Sequence, residues 1–100
     1  MNYRNRELLN LAYQIDCTLQ IGGLCEGGPG EPCHSNQSRH GKGGALKSHD
    51  CFFASGCRSC HRELDQGKRF NREEKFDIWQ RAHERTMLEL WQRGLIGVAA

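Results

Sequence analysis

The stretch CRSCHRELD, residues 57–65, is the part of the sequence from which the fold is predicted. Its two cysteines are separated by two residues, a spacing at which one tight turn directs two thiolates toward the same zinc ion. His61 follows Cys60 directly, and Asp65 lies four residues further on. If a helix begins near Ser59, these two side chains project from one face of it. The stretch therefore predicts a zinc-binding turn that leads into a helix carrying a second pair of metal ligands.

The zinc site needs two more ligands, because structural zinc is almost always four-coordinate. Cys17 and Cys25 are the preferred pair, since a Gly-Gly turn separates them, although Cys33 lies at the same spacing beyond Cys25 and remains an alternative. In the preferred assignment, Cys33 and Cys51 are free buried thiols, which behave as small apolar side chains. The predicted ligands of the structural zinc are Cys17, Cys25, Cys57 and Cys60.

The composition favours a domain that a metal stabilises. Leu, Ile, Val and Phe supply only 19 of the 100 residues, which leaves little apolar surface to bury. Small domains of this kind depend on disulfides or a metal ion. The first residues are charged and contain no long apolar stretch. We therefore expect a cytoplasmic protein with metal-bound thiolates, no membrane association, and no secreted disulfide framework.

The rest of the sequence predicts a small α+β fold in a single domain. Residues 32–35 could begin a strand, and the polar, glycine-rich residues 36–50 predict a long loop. Asn71 and Glu74 form the signature of a capping box at the start of a helix with a tryptophan-containing apolar stripe. The predicted parts are an N-terminal helix over about 6–16, a zinc-containing core over about 17–67 and a C-terminal helix over about 72–93.

His34, His61 and Asp65 are the candidate catalytic residues. A histidine nitrogen and a carboxylate oxygen at helical spacing suit Mg²⁺ or Mn²⁺, ions that also bind phosphate oxygens. His34 follows the predicted first zinc turn and could face the helix across a hairpin, where it would act as a general base. Hydrolysis of a phosphodiester bond is a reaction that uses these groups together.

Basic residues cluster in the loop and around the second cysteine pair. The formal net charge of +2 is too small to establish a nucleic-acid partner, but clustered cations can contact phosphates. A solvated surface around a metal site is an equally good interpretation of the charge alone. The candidate nucleic-acid contacts are Arg39, Lys42, Lys47, Arg58 and Arg62.

Taken together, these residues resemble the zinc-containing HNH endonucleases of the ββα-metal (His-Me finger) group. The pattern Cys17-x7-Cys25, His34, Asp50 and CxxCH-x3-D, followed by a tryptophan-containing helix, is most similar to the YbcO family of prophage-borne proteins assigned as nucleases. The likeness covers about residues 10–92. It implies a zinc-stapled ββα-metal core, similar to a treble clef, flanked by an N-terminal helix and a long C-terminal helix.

The resemblance also implies roles for individual residues. His34 matches the general base, His61 and Asp65 match the metal ligands on the helix, and Asp50 lies near the position of the middle asparagine. The sequence departs from the family pattern at Cys33, where many relatives carry a metal-binding Asp or His. It departs again at the missing middle asparagine, for which Asp50 or Asn36 could substitute.

The implied function is a metal-dependent DNA endonuclease that leaves 5′-phosphate and 3′-hydroxyl ends. Branched or single-stranded DNA is a candidate substrate, and recombination or replication proteins are candidate partners. The alternative is a non-catalytic zinc module that binds nucleic acid or protein.

Overall fold

A two-stranded antiparallel sheet and the helix that follows it form the centre of the molecule. The computed structural model describes residues 2–99. Strand β1, Glu31–His34, pairs with strand β2, Phe53–Gly56, so that Cys33 lies opposite Ala54 and His34 opposite Phe53. Helix α2, Arg58–Gln66, begins directly after β2. The chain is thus a small α+β fold in which the predicted hairpin and helix are adjacent.

The N-terminal helix is shorter than the sequence predicts. Instead of a helix over about 6–16, helix α1 spans Arg6–Asn10 and a 3₁₀ turn spans Leu11–Gln14. The helical hydrogen bonds tighten after Asn10, since the Leu11 amide donates to the Leu8 and Leu9 carbonyls and the Ile15 amide donates to the Ala12 carbonyl at 3.1 Å. Ile15 is extended. The Ser55 hydroxyl lies 2.8 Å from the carbonyl oxygens of both Ala12 and Ile15 and shares its one proton between them.

Helix α3, Arg72–Gln92, is a long helix that supports the hairpin from one side. The expected capping box is present, because the Asn71 side chain accepts from the Glu74 amide while the Glu74 carboxylate accepts from the Asn71 amide. These bonds satisfy amide groups that the first turn of any helix leaves without partners. The buried face of the helix consists of Trp79, Ala82, Thr86 and Leu90.

Hydrogen bonds from α3 to both strands hold the hairpin in place. The Trp79 indole N–H donates to the Cys33 carbonyl at 2.9 Å, and His83 Nδ1 lies 2.7 Å from the Phe53 carbonyl oxygen. The Thr86 hydroxyl accepts from the Ser55 amide at 3.1 Å. Because side chains alternate along a strand, Cys33 enters the core and His34 projects to the opposite face. The helix therefore fixes the strand from which His34 projects.

The long loop between the strands is anchored rather than free. The His40 ring stacks on Phe52, with the ring centroids 4.3 Å apart, and its Nδ1 lies 2.6 Å from the Ser35 hydroxyl oxygen. The N-terminal segment crosses the other end of the loop, where the Asp50 amide donates to the Tyr3 carbonyl at 3.0 Å. These contacts give the predicted loop a defined path past the end of β1.

The buried apolar residues form two clusters. One surrounds the cysteines and includes Ile21, Leu64 and Trp79, and the other joins Ile15 and Phe53 to the end of α3. No helix within residues 2–99 has both the length and the apolar character that a membrane crossing requires.

Candidate functional site

Four cysteines converge at one point between the start of α2 and the loop before β1. The sulfur atoms of Cys17, Cys25, Cys57 and Cys60 all lie within 4.8 Å of one another. Cys33, the alternative ligand, is fully buried elsewhere, and its thiol donates to the Glu31 carbonyl at 3.4 Å. Within residues 2–99 this is the one group of three or more potential ligands close enough to share an ion.

The surroundings of the sulfurs fit a zinc ion. Zn–S bonds of about 2.3 Å place tetrahedral sulfurs roughly 3.8 Å apart, which is within the 4.8 Å that bounds the observed separations. Backbone amides lie 3.4 Å from three of the sulfurs, those of Cys25, Cys57 and Cys60. Burial raises the pKa of the Cys17 and Cys60 thiols, so their charged forms need a cation beside them. Four converging sulfurs with amide donors therefore form a donor set suited to structural zinc.

Glu26 ties the two cysteine turns together. Its carboxylate accepts from the Ser59 amide at 3.1 Å and from the Ser59 hydroxyl. Hydrogen bonds from Ser59 hold the pKa of this carboxyl below its usual range. Glu26 follows Cys25, and Ser59 lies between Cys57 and Cys60. The contact therefore links the two cysteine pairs and orients the start of α2, which a zinc ion bound by the same cysteines would also do.

His61 lies between two carboxylates. It emerges from the first turn of α2, directly after Cys60, so the zinc turn also sets its position. Its Nδ1 lies 2.7 Å from Glu31 Oε2, and its Nε2 lies 3.1 Å from Asp65 Oδ2. The hydrogen bond with Asp65, helped by Cys33 and Glu31 and opposed by burial, raises the pKa of His61 to about 11. The arrangement favours a positive charge at this point.

His61 and Asp65 are hydrogen-bonded to each other, with Nε2 and Oδ2 3.1 Å apart, so a divalent cation bound between them would replace the shared proton. Neighbouring ligands of octahedral Mg²⁺ also lie about 3 Å apart, given bonds of ~2.0–2.1 Å, so the two side chains could hold such an ion without a large movement. Asn36 donates to the other oxygen of Asp65 at 3.0 Å, which orients the carboxylate. Two protein ligands are few, but Mg²⁺ ordinarily completes its coordination with waters and phosphate oxygens.

His34 ends β1 and is held by a buried carboxylate. Its Nε2 lies 2.8 Å from Asp50 Oδ1. Asp50 also accepts from the Asn5 amide at 2.6 Å and from the Arg4 guanidinium at 3.2 Å. Burial opposes ionisation of Asp50, but the hydrogen bonds from His34 and Asn5 outweigh it and hold the pKa of the carboxyl below its usual range. An ionised Asp50 favours the proton on Nε2 of His34, which leaves Nδ1 as a proton acceptor.

One cavity joins the two halves of the site. The lining of a central cavity of about 400 Å³ includes His34, His61 and Asp65, together with Lys42 and Lys47. All four candidate catalytic residues are therefore assembled, with Asp50 behind His34. His34 and His61 are distant in the sequence, but the pairing of β1 with β2 brings the end of β1 and the start of α2 into one hairpin-and-helix unit.

Four of the five predicted basic residues lie in two groups, and the fifth lies apart from both. Lys42 and Lys47 line the central cavity, and Arg58 and Arg62 line a neighbouring cavity of about 200 Å³ that shares His61 and Asp65. Arg39 lies apart, because its guanidinium donates to the side chains of Gln37 and Gln80.

Two contributors to the site, Glu31 and Arg4, carry no sequence signal for these roles. Glu31 is the first residue of β1 and pairs with Gly56 at the end of β2. Because α2 follows β2, this strand pairing brings Glu31 to His61. Arg4 reaches Asp50 across 46 positions. The sequence shows only that Glu31 is a charged residue within a short strand and that Arg4 is a charged residue near the start of the chain.

A solved structure shares this fold. The chain is similar to a "putative bacteriophage protein" from Escherichia coli K-12, with a TM-score of 0.64 and 22% sequence identity over 85% of this chain and 96% of that one. No model of a protein family matches the sequence, and no curated protein matches it.

Proposed function

We propose that this protein is a metal-dependent endonuclease of the ββα-metal (HNH) type that hydrolyses phosphodiester bonds in DNA. The observation that carries the proposal is the central cavity, whose lining includes both His34, held by a buried aspartate, and the His61–Asp65 pair. The similarity in fold to a bacteriophage protein of E. coli supports a prophage origin, and the proposed site of action is the cytoplasm.

His34 acts as the general base. Its Nδ1 accepts a proton from the attacking water while Asp50 holds Nε2–H and stabilises the charge that develops on the ring. Arg4 and the Asn5 amide keep Asp50 ionised and immobile. The strand and its hydrogen bond to Trp79 set the position of the ring.

His61 and Asp65 would hold Mg²⁺ or Mn²⁺. When bound, the ion supplies charge stabilisation to the phosphate and to the departing oxygen. Glu31 accepts the Nδ1 proton of His61, so Nε2 would bind the ion once its own proton, held by Asp65, is displaced; a carboxylate behind the histidine is common among metal-binding histidines. Asn36 fixes the second oxygen of Asp65.

The four cysteines would hold zinc away from the reaction. Their zinc contributes folding free energy and fixes the first turn of α2, from which His61 projects. Lys42 and Lys47 would contact phosphates beside the scissile bond, with Arg58 and Arg62 beyond His61. The products would carry 5′-phosphate and 3′-hydroxyl ends, and branched or single-stranded DNA met during recombination or replication is the proposed substrate.

The test is a cleavage reaction with zinc-loaded protein and supercoiled or single-stranded DNA. We expect nicks that require added Mg²⁺ or Mn²⁺ and that DNA ligase reseals. Asp65→Asn keeps the size of the side chain and is expected to lose most activity while retaining zinc. DNA binding without metal-dependent nicking by the wild type would contradict the proposal and favour a non-catalytic zinc module.

A further inference from the structure

The central cavity is the middle one of three cavities that share walls. On one side it shares His34 and Lys47 with a cavity of about 320 Å³, called here the N-terminal cavity, which is also lined by Arg4, Arg6 and Asp50. On the other side it shares His61 and Asp65 with the cavity beside Arg58 and Arg62. The three cavities therefore adjoin one another at the candidate base and the candidate metal pair, and together they are called here the track.

The cations of the N-terminal cavity are not all free to bind a ligand. Arg4 donates to Asp50 and to the carbonyls of Ser48 and Lys47 at 3.2, 2.6 and 2.8 Å, so it is committed to the protein. It also offsets the charge of Asp50. Arg6 is exposed at the start of α1 and forms no ion pair within residues 2–99. Arg6 and Lys47 therefore give this cavity positive charge that no ion pair among residues 2–99 neutralises.

We propose that Arg6 and Lys47 form a phosphate-binding subsite in the N-terminal cavity, so that a polynucleotide strand crosses the track with phosphates held on both sides of the hydrolysed bond. The inference rests on the proposed nuclease function and extends it to a surface on α1. Arg58 and Arg62 hold the strand beyond His61, and Arg6 and Lys47 hold it beyond His34.

The shape of the track favours a polymer over a free anion. Inorganic phosphate would occupy one cavity and gain nothing from the other two, whereas a strand places one charge in each. A strand held on both sides of the site is also a substrate cut internally rather than from an end. Oligonucleotide affinity should accordingly rise with length until the track is filled.

The experiment measures binding of labelled single-stranded DNA, the RNA of the same sequence, and inorganic phosphate to zinc-loaded protein without added divalent metal. Arg6→Gln is compared with Arg6→Lys and with Arg81→Gln, which removes an exposed arginine of α3 that pairs with Asp77. Losing one phosphate contact should reduce the salt dependence, the slope of log K against log salt, by about 0.7. At ~0.1 M salt that change corresponds to an affinity about fivefold lower.

We expect this loss in Arg6→Gln for DNA, RNA or both, and affinities near the wild type in Arg6→Lys and Arg81→Gln. Zinc content and melting temperature show that each variant is folded. If Arg6→Gln binds with the wild-type slope while Lys42→Gln or Arg62→Gln loses part of it, the N-terminal subsite is wrong and the nuclease proposal stands. If wild-type protein binds no polynucleotide, or binds phosphate as tightly as DNA, both are wrong.

Discussion

Replacing His34 with alanine is expected to reduce metal-dependent nicking of DNA by about 10²–10⁴-fold, the usual contribution of a general base. His34 is the proposed general base and lines the central cavity, and alanine leaves no proton acceptor in its place. The His34 side chain is 16% exposed, and its loss removes one of the hydrogen bonds to buried Asp50, which keeps those from Asn5 and Arg4. The melting temperature should therefore fall modestly, whereas zinc content and DNA affinity should stay close to those of the wild type.

Two further variants separate catalysis from structure. Asp50→Asn removes the charge that favours the Nε2–H form of His34, so it should also lower the nicking rate while DNA affinity changes little. His49→Gln is the matched histidine control, since His49 accepts from the Tyr3 amide and does not line the central cavity. Equal nicking by the wild type and His34→Ala, purified side by side, would indicate a contaminating nuclease and reject His34 as the base.

Replacing Cys60 with serine is expected to abolish zinc binding and to leave the chain largely unfolded at room temperature. Zinc binding to four-ligand sites of small domains contributes about 10–16 kcal/mol, whereas whole domains are stable by about 5–15 kcal/mol. The apolar inventory here is small, and Cys60 is fully buried at the centre of the cysteine-containing cluster. Circular dichroism and zinc analysis of the purified variant would record the loss.

Cys51→Ser is the control for the zinc prediction. Cys51 is only partly buried and lies outside the cysteine cluster, so this variant should retain about one zinc ion per chain and a cooperative melting transition. A folded Cys60→Ser protein with wild-type stability would contradict the account of the zinc site. Loss of zinc from Cys51→Ser would show that the ligands were misassigned.

Local signals in the sequence were enough to predict the elements around the four clustered cysteines. The CxxC turn, the glycine turn between Cys17 and Cys25 and the capping box at Asn71 each depend on residues close together in the chain. The four cysteines do converge, and they exclude Cys33. The His61–Asp65 spacing likewise follows from a helix that begins at the zinc turn.

The remaining features depend on contacts between distant segments. The extended segment that follows the N-terminal helix is held by distant contacts, since the Ile15 carbonyl accepts from the Gly30 amide at 3.0 Å and lies 2.8 Å from the hydroxyl of Ser55, 40 residues away. Glu31 reaches His61 only because the strands pair in one register, and Arg4 reaches Asp50 only because the N-terminal segment crosses the long loop. Apolar spacing and motifs carry no information about such pairings.

Paramagnetic broadening by Mn²⁺ tests most directly whether His34 and the His61–Asp65 pair form one reaction site. Zinc-loaded protein would be titrated with Mn²⁺ and its histidine ring and side-chain amide NMR signals followed, with Mg²⁺ as the diamagnetic control. Selective broadening of His34, His61 and Asn36, lost in Asp65→Asn, is the predicted result, since all three line the central cavity with Asp65. Broadening centred elsewhere, or unchanged in Asp65→Asn, would contradict a metal-centred site beside His34.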